Sequence, residues 1–144
     1  MSARESIAEN IVTTLEAMTT PVKAKKVTRE PFDFNKLSAA QFPALLIRTS
    51  NETRNDSSIG GSIGNRMGEL EYEIVGYVQS KNIDKARNEL IESIEEKLDD
   101  DRTRGGYALD TQIISIEVDE GSIDPVGAII VTVRVMYNFT RGSV

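Results

Sequence analysis

Three adjacent aspartates, Asp99, Asp100 and Asp101, form the densest cluster of chemically capable side chains in the sequence, and Arg102 and Arg104 follow them. Grouped carboxylates can hold hard cations such as Mg²⁺ or Ca²⁺. These three lack the spacing of an EF-hand and read instead as a solvated helix end. The two arginines then pair locally or dock onto a neighbouring molecule.

A second candidate is the glycine-rich stretch "GGSIGNRMG", Gly60 to Gly68, at the end of the long segment that begins at Ser50. Backbone amides of such loops cradle phosphates, but this one has neither GK[ST] nor G-x-G-x-x-G. It leads into a strand pattern, so no helix N-terminus waits to receive an anion. "GSIG" matches the G-x-x-G of a KH loop, although that loop joins two helices. The chain has no histidine and no cysteine. Ser-His-Asp and Cys-His constellations are therefore impossible, as are thiolate chemistry and disulfides. Catalysis would have to rest on carboxylates, lysine or tyrosine, and no convergent cluster of these is visible. The expectation is a non-enzyme with no catalytic, metal or cofactor site.

Charge points the same way. The 144 residues carry a net charge of −6, which disfavours a dedicated nucleic-acid binder. The charges are also segregated. Lys23, Lys25, Lys26 and Arg29 lie early, whereas Glu89, Glu92, Glu95, Glu96 and Asp99 to Asp101 lie late. They are two solvated faces, or two patches that meet on neighbouring copies. The absence of cysteine fits a reducing compartment. Apolar runs such as "AIIV" are far shorter than a membrane span, and the first residues lack the basic-then-apolar order of a signal peptide.

These residues must be held by a small set of elements. "SARESIAENIVTTLEAM" reads as a helix with Ile7, Ile11, Leu15 and Met18 on one face, capped at Ser2 or Ser6 and stopped by Pro21. "VKAKKVTRE" reads as an extended, lysine-protected sheet edge. "PFDFNKLSAAQFP" reads as irregular, pinned to the core by Phe32, Phe34, Leu37 and Phe42. "ALLIRT" is a short buried strand. Ser50 to Arg66 is expected to be a flexible loop, because a stretch with only Ile59 and Ile63 as apolar residues cannot offset its ordering entropy. "GELEYEIVGYVQS" alternates as a strand with Leu70, Tyr72, Ile74, Gly76 and Val78 inward. "NIDKARNELIESIEEKLDDD" is a second helix, capped by Asn82 and striped by Ala86, Leu90, Ile94 and Leu98. It should end near Leu98, since aspartates oppose the macrodipole there.

"TQIISIEV" is a strand with Ile114, Ile116 and Val118 on one face, and "AIIVTVRVMYNF" is its hairpin partner. The order α-β-β-β-α-β-β predicts a single α+β domain over 1–144. Two amphipathic helices would cover one face of a mostly antiparallel sheet of about five strands. Val75, Tyr77, Ile113, Ile130 and Met136 are expected on the other face, covered by the "PFDF" segment or by a partner.

The N-terminal amphipathic helix, then "FPALLI", then the acidic helix, and finally "DDDRTRGGYALDTQIISIEVDEG…DPVGAIIVTVRVMYNFTRG" together resemble the small tail terminator (tail completion) proteins of tailed bacteriophages. The likeness runs from about Ile7 to Gly142 in order of elements, and its specific part is only the last forty or so residues. It implies a structural virion protein that caps the tail tube as a ring of about six copies. Such a ring ends tube polymerisation and forms the joint to the head. The implied partners are the chain itself, the tail tube protein, a head-completion or neck protein, and a sheath protein in a contractile tail. DNA would be only passing cargo, and no membrane is involved. The implied location is the virion tail or neck, reached from the host cytoplasm. Ring contacts would draw on Lys23, Lys25, Lys26 and Arg29, on Arg54, Asp56, Ile59, Ile63 and Arg66, and on Asp100, Asp101, Arg102 and Arg104. Two other classes stay open. One is another small neck, connector or baseplate protein, and the other is a small ligand-binding α+β module.

Overall fold

The computed structural model describes residues 2–19, 21–56, 65–119 and 126–140. The elements are α1 (Ala3–Glu16), β1 (Lys26–Thr28), β2 (Ala44–Asp56), β3 (Asn65–Gln79), α2 (Ile83–Asp99), β4 (Asp110–Val118) and β5 (Val126–Thr140). Their order is the expected α-β-β-β-α-β-β. The strands form one five-stranded sheet in the order β1-β2-β3-β5-β4. It is mixed: β1 runs parallel to β2, and every other pairing is antiparallel. The parallel pairing is possible because the long segment between β1 and β2 carries the chain back to the end where β1 began.

Both helices lie on one face. Ile7, Ile11 and Leu15 of α1 and Leu90, Ile94 and Leu98 of α2 are buried against Leu45, Ile47, Leu70, Tyr72, Ile74 and the inward row of β5. That row is Ile129, Val131, Val133, Val135 and Tyr137, the alternation expected from the sequence. Each fully buried aliphatic side chain of this kind stabilises by about 1.5–3 kcal/mol. Ser2 caps α1 through the Glu5 amide at 3.1 Å, and Asn82 caps α2 through the Lys85 amide at 3.3 Å. α2 ends at Asp99.

Three expectations are corrected. The stretch 50–66 is not one loop. β2 continues to Asp56 and β3 begins at Asn65, so both ends of the stretch are paired strand. A bulge at Ser50, whose hydroxyl donates to the Glu71 carbonyl at 3.1 Å, keeps Glu52 and Arg54 on the helix side beyond it. Phe32 and Phe34 do not enter the core. They sit on the opposite sheet face against Tyr77, with ring centroids 5.8 and 5.0 Å away. Their segment, which holds short 3₁₀ turns at Phe34–Lys36 and Ala39–Gln41, covers part of that face. Ile113 does not belong to that face either, because it pairs with Val133 and packs against the core.

Candidate functional site

Five large apolar side chains are exposed among the described residues: Tyr107 (54%), Leu109 (51%), Ile114 (39%), Ile116 (41%) and Val118 (52%). All lie on β4 or the turn leading into it. The cause is geometric. α2 lies chiefly over β3 and β5, so only the first part of β4, at Thr111 and Ile113, is tucked beneath it. A register shift between Ile113 and Ser115 makes Ile114 the extra residue. Beyond it, Ile116 and Val118 pair with Val131 and Ile129 on the helix side of the sheet, past the cover of α2. An open groove between α2 and β4 results, lined by Glu95, Asp99, Arg102 and the residues from Thr111 to Ile116. β4 is also an end strand, so its outer row of backbone groups has no strand partner.

The turn before β4 is built by the residues singled out in the sequence. Arg104 (φ 50°), Gly105 (φ 70°) and Gly106 (φ 92°) are consecutive left-handed residues. Such a run suits glycine but strains arginine. Arg104 holds there because its side chain is completely buried, and its Nη2 donates to the Leu98 carbonyl at 2.5 Å. It thus closes the C-terminus of α2 with a cation where the macrodipole favours one. Burial pulls the Arg104 pKa down, partly opposed by Asp101 and Asp99. A side chain so placed cannot reach a neighbouring subunit, which removes Arg104 from the expected contact set.

Asp101 is likewise committed to its own turn. It accepts from the Gly105 amide (2.7 Å) and from the Thr103 amide and hydroxyl (3.1 and 3.0 Å). The Gly105 bond leads the effects that hold its pKa below the ordinary value. Arg102 takes the local partner, with its Nε and Nη2 at 2.7 and 3.0 Å from the Asp110 carboxylate. Asp100 is exposed and lies 3.9 Å from Lys97. Among the described residues no group of carboxylates is arranged to hold a metal ion.

The other end of the sheet is β1. Lys25 is exposed, and Lys26 lies 5.5 Å from the centroid of Phe32. Lys23 donates to the Glu16 carbonyl at 3.1 Å, and Arg29 is bound to both oxygens of Glu5 at 2.5 and 3.0 Å. A groove between α1 and β1 is lined by Glu9, Val12, Thr13, Val27, Thr28 and Arg29. Of the early basic residues Lys26 lies in the end strand and Lys23, Lys25 and Arg29 flank it, and part of their charge is spent within the subunit.

The third feature is an arm. β4 accompanies β5 only as far as the Asp110–Met136 pair. Beyond it β2, β3 and β5 continue as a three-stranded tip through Arg54–Gly68–Tyr137 and Asp56–Arg66–Phe139. Its root is pinned by a network absent from the sequence expectations. Glu52 accepts from the Tyr137 hydroxyl at 3.0 Å, from Arg4 at 3.0 Å and from Arg54 at 2.6 Å. The Tyr72 hydroxyl donates to the Arg4 carbonyl at 3.3 Å. Burial raises the Glu52 pKa, but the bonds from Arg54 and Tyr137 outweigh it and leave the pKa below the ordinary value. Burial also raises the tyrosines, Tyr72 most strongly. Arg54 is thus placed at the root of the arm. Asp56 and Arg66 face each other as a backbone pair, with side chains outside the described residues, and Ile59 and Ile63 lie outside them altogether. The β-branched Thr49 and Thr53 were the available sign of strand here, and the polarity of the stretch hid it.

No helix of the described chain is long and apolar enough to cross a membrane. Comparison with known protein families finds no family model that matches the chain. Comparison with characterised proteins likewise finds no match.

Proposed function

We propose that this chain is a structural, non-enzymatic subunit of a tailed-phage virion, a tail terminator that closes the tail tube as a ring and joins it to the head. The observation that carries the assembly role is the concentration of the exposed large apolar side chains of the described residues on one open sheet edge and the turn leading into it. Monomeric proteins blunt such edges, and an apolar row left on one marks a contact. The choice of a tail terminator over other assembly proteins rests on the resemblance in element order and in the last strand pair. Subunits of a ring need two unlike patches, and β4 and β1 stand at opposite ends of the sheet.

The test is native mass by light scattering over a concentration series, with negative-stain images of the same sample alone and mixed with tail tubes. Closed rings seated on tube ends, with tube growth stopped, are expected. A sample that neither forms rings nor occupies tube ends overturns the proposal. Rings that leave tube ends bare would move the chain to another joint of the neck.

A further inference from the structure

We propose that the open edge of β4 receives the β1 edge of a second copy, so that the sheet continues from one subunit to the next. This deepens the assembly reading above and rests on it. The occupant must satisfy three things that β4 presents together. The first is an unpaired row of amides and carbonyls, which only an extended segment can meet by strand addition. The second is the apolar row of Ile116 and Val118. The third is the acidic flank of the α2 groove, where Glu95 and Asp99 have no salt-bridge partner among the described residues.

β1 offers the counterpart of each. It is the other end strand, so its outer row is also open. The groove beside it contains Val12 and Val27, both only partly buried and therefore able to accept more apolar surface. Lys25 is exposed at the start of that edge without a salt-bridge partner among the described residues, whereas Lys26, beside Phe32, lies on the other face of the sheet. β1 has only three residues against nine in β4. The hydrogen-bonded overlap is therefore short, and the apolar row and the charges carry the remainder. The obvious competitor is a two-fold contact of β4 with β4. It would set Glu95 and Asp99 of one copy beside the same residues of the other, and like charges in an interface are repulsive. The β4-to-β1 contact joins two different patches, and it propagates head to tail until a ring closes.

The experiment is sedimentation of the full chain over a concentration series, with variants at each edge. Ile116→Lys disables β4, and Lys25→Glu disables β1. Each is expected to weaken self-association by about tenfold or more, since a charge is placed in an apolar contact or reversed in a complementary one. Unchanged melting curves confirm that the substitutions leave the fold intact. Adding Glu95→Lys and Asp99→Lys to the β1 variant should restore association. An equimolar mixture of the β4-disabled and β1-disabled chains retains one intact edge of each kind, so it should pair and stop at two. A wild-type chain that stays monomeric overturns the proposal. So does association that survives the β1 variant but not the β4 variant, the mark of a β4–β4 dimer. The tail reading fails separately: a chain that assembles through these edges yet leaves tube ends bare keeps the interface and loses the tail. A monomer that still caps tubes does the reverse.

Discussion

Gly68 shows how one missing methyl group organises a network. A Cβ at this position would overlap Cε1 of Tyr137, its cross-strand partner. The ring lies across the glycine, and only from there does its hydroxyl reach Glu52. Gly68→Ala should therefore displace the ring, at a cost of about 1–3 kcal/mol as an overpacking change. Tyr137→Phe should cost about 1 kcal/mol for the hydrogen bond alone. Urea unfolding of both single variants and the double variant checks this. If Gly68→Ala is as costly in the Tyr137→Phe background as in the wild type, the hydroxyl contributes nothing to the coupling. Arg104 is a second case. Arg104→Ala removes a buried side chain and the cation on the last turn of α2 while leaving the left-handed backbone. We expect a loss of about 2–4 kcal/mol, within the range of buried large-to-small changes. An unchanged urea midpoint would show that burying the guanidinium, with Nε and Nη1 unsatisfied, offsets its capping bond. Neither role was legible in the sequence. Gly68 stood in a strand pattern with nothing to say which ring would cross it. Arg104 looked like one more surface charge beside aspartates, because its burial depends on where α2 stops relative to the turn.

At the scale of elements, two ion pairs fasten α1 to the strands: Arg29–Glu5 toward β1 and Arg4–Glu52 toward the arm. The Glu5 carboxyl is held below its ordinary pKa by the Arg29 bond, Glu52 by the bonds already described, and Asp110 by Arg102. A carboxylate with a depressed folded-state pKa adds stability above its unfolded value of about 4. That contribution is lost as pH falls through the folded value. The melting temperature should therefore be flat near neutrality and decline below about pH 4. Glu52→Gln should lower the neutral plateau and flatten the decline. A parallel decline in the variant would assign the acid loss to the other carboxylates. The helices themselves were readable, since α1 and α2 show an apolar stripe at helical spacing and a capping residue in the right place. The arm was not. Its β2 strand is polar on both faces, and composition alone gives the stretch from Ser50 to Arg66 no reason to order. What orders it is pairing on either side of β3, with the adjoining strand β2 and with β5, which is remote in sequence. The phenylalanines of the β1–β2 connection misled for a related reason. Hydrophobicity says that they will be covered, but it does not say on which face of the sheet.

At the scale of the molecule, the two sheet edges and the arm point in different directions and invite different partners. β4 and β1 bound the sheet laterally, where copies of the chain can join. The arm leaves the body at the Tyr137 end, past the last residue of β5 that β4 accompanies, so its tip is free of both. If the edges make the ring, the arm is the element left to reach the tube. Thr53 and Glu69 are direct cross-strand partners, so residues 54–68 can be replaced by Asn-Gly, which closes a two-residue hairpin without altering the register behind it. The shortened chain keeps Glu52, Leu70 and the aliphatic core beneath the helices, and loses Arg54 and the Gly68 seat of Tyr137. It should fold with a melting temperature a few degrees lower, a shift of about 1 kcal/mol for a domain of this size. Its self-association should match that of the full chain in sedimentation, and its occupancy of tail-tube ends in negative stain should vanish. Full occupancy would assign the tube contact to the ring body. Loss of self-association instead would place the arm within the ring interface and leave the lateral edges insufficient on their own.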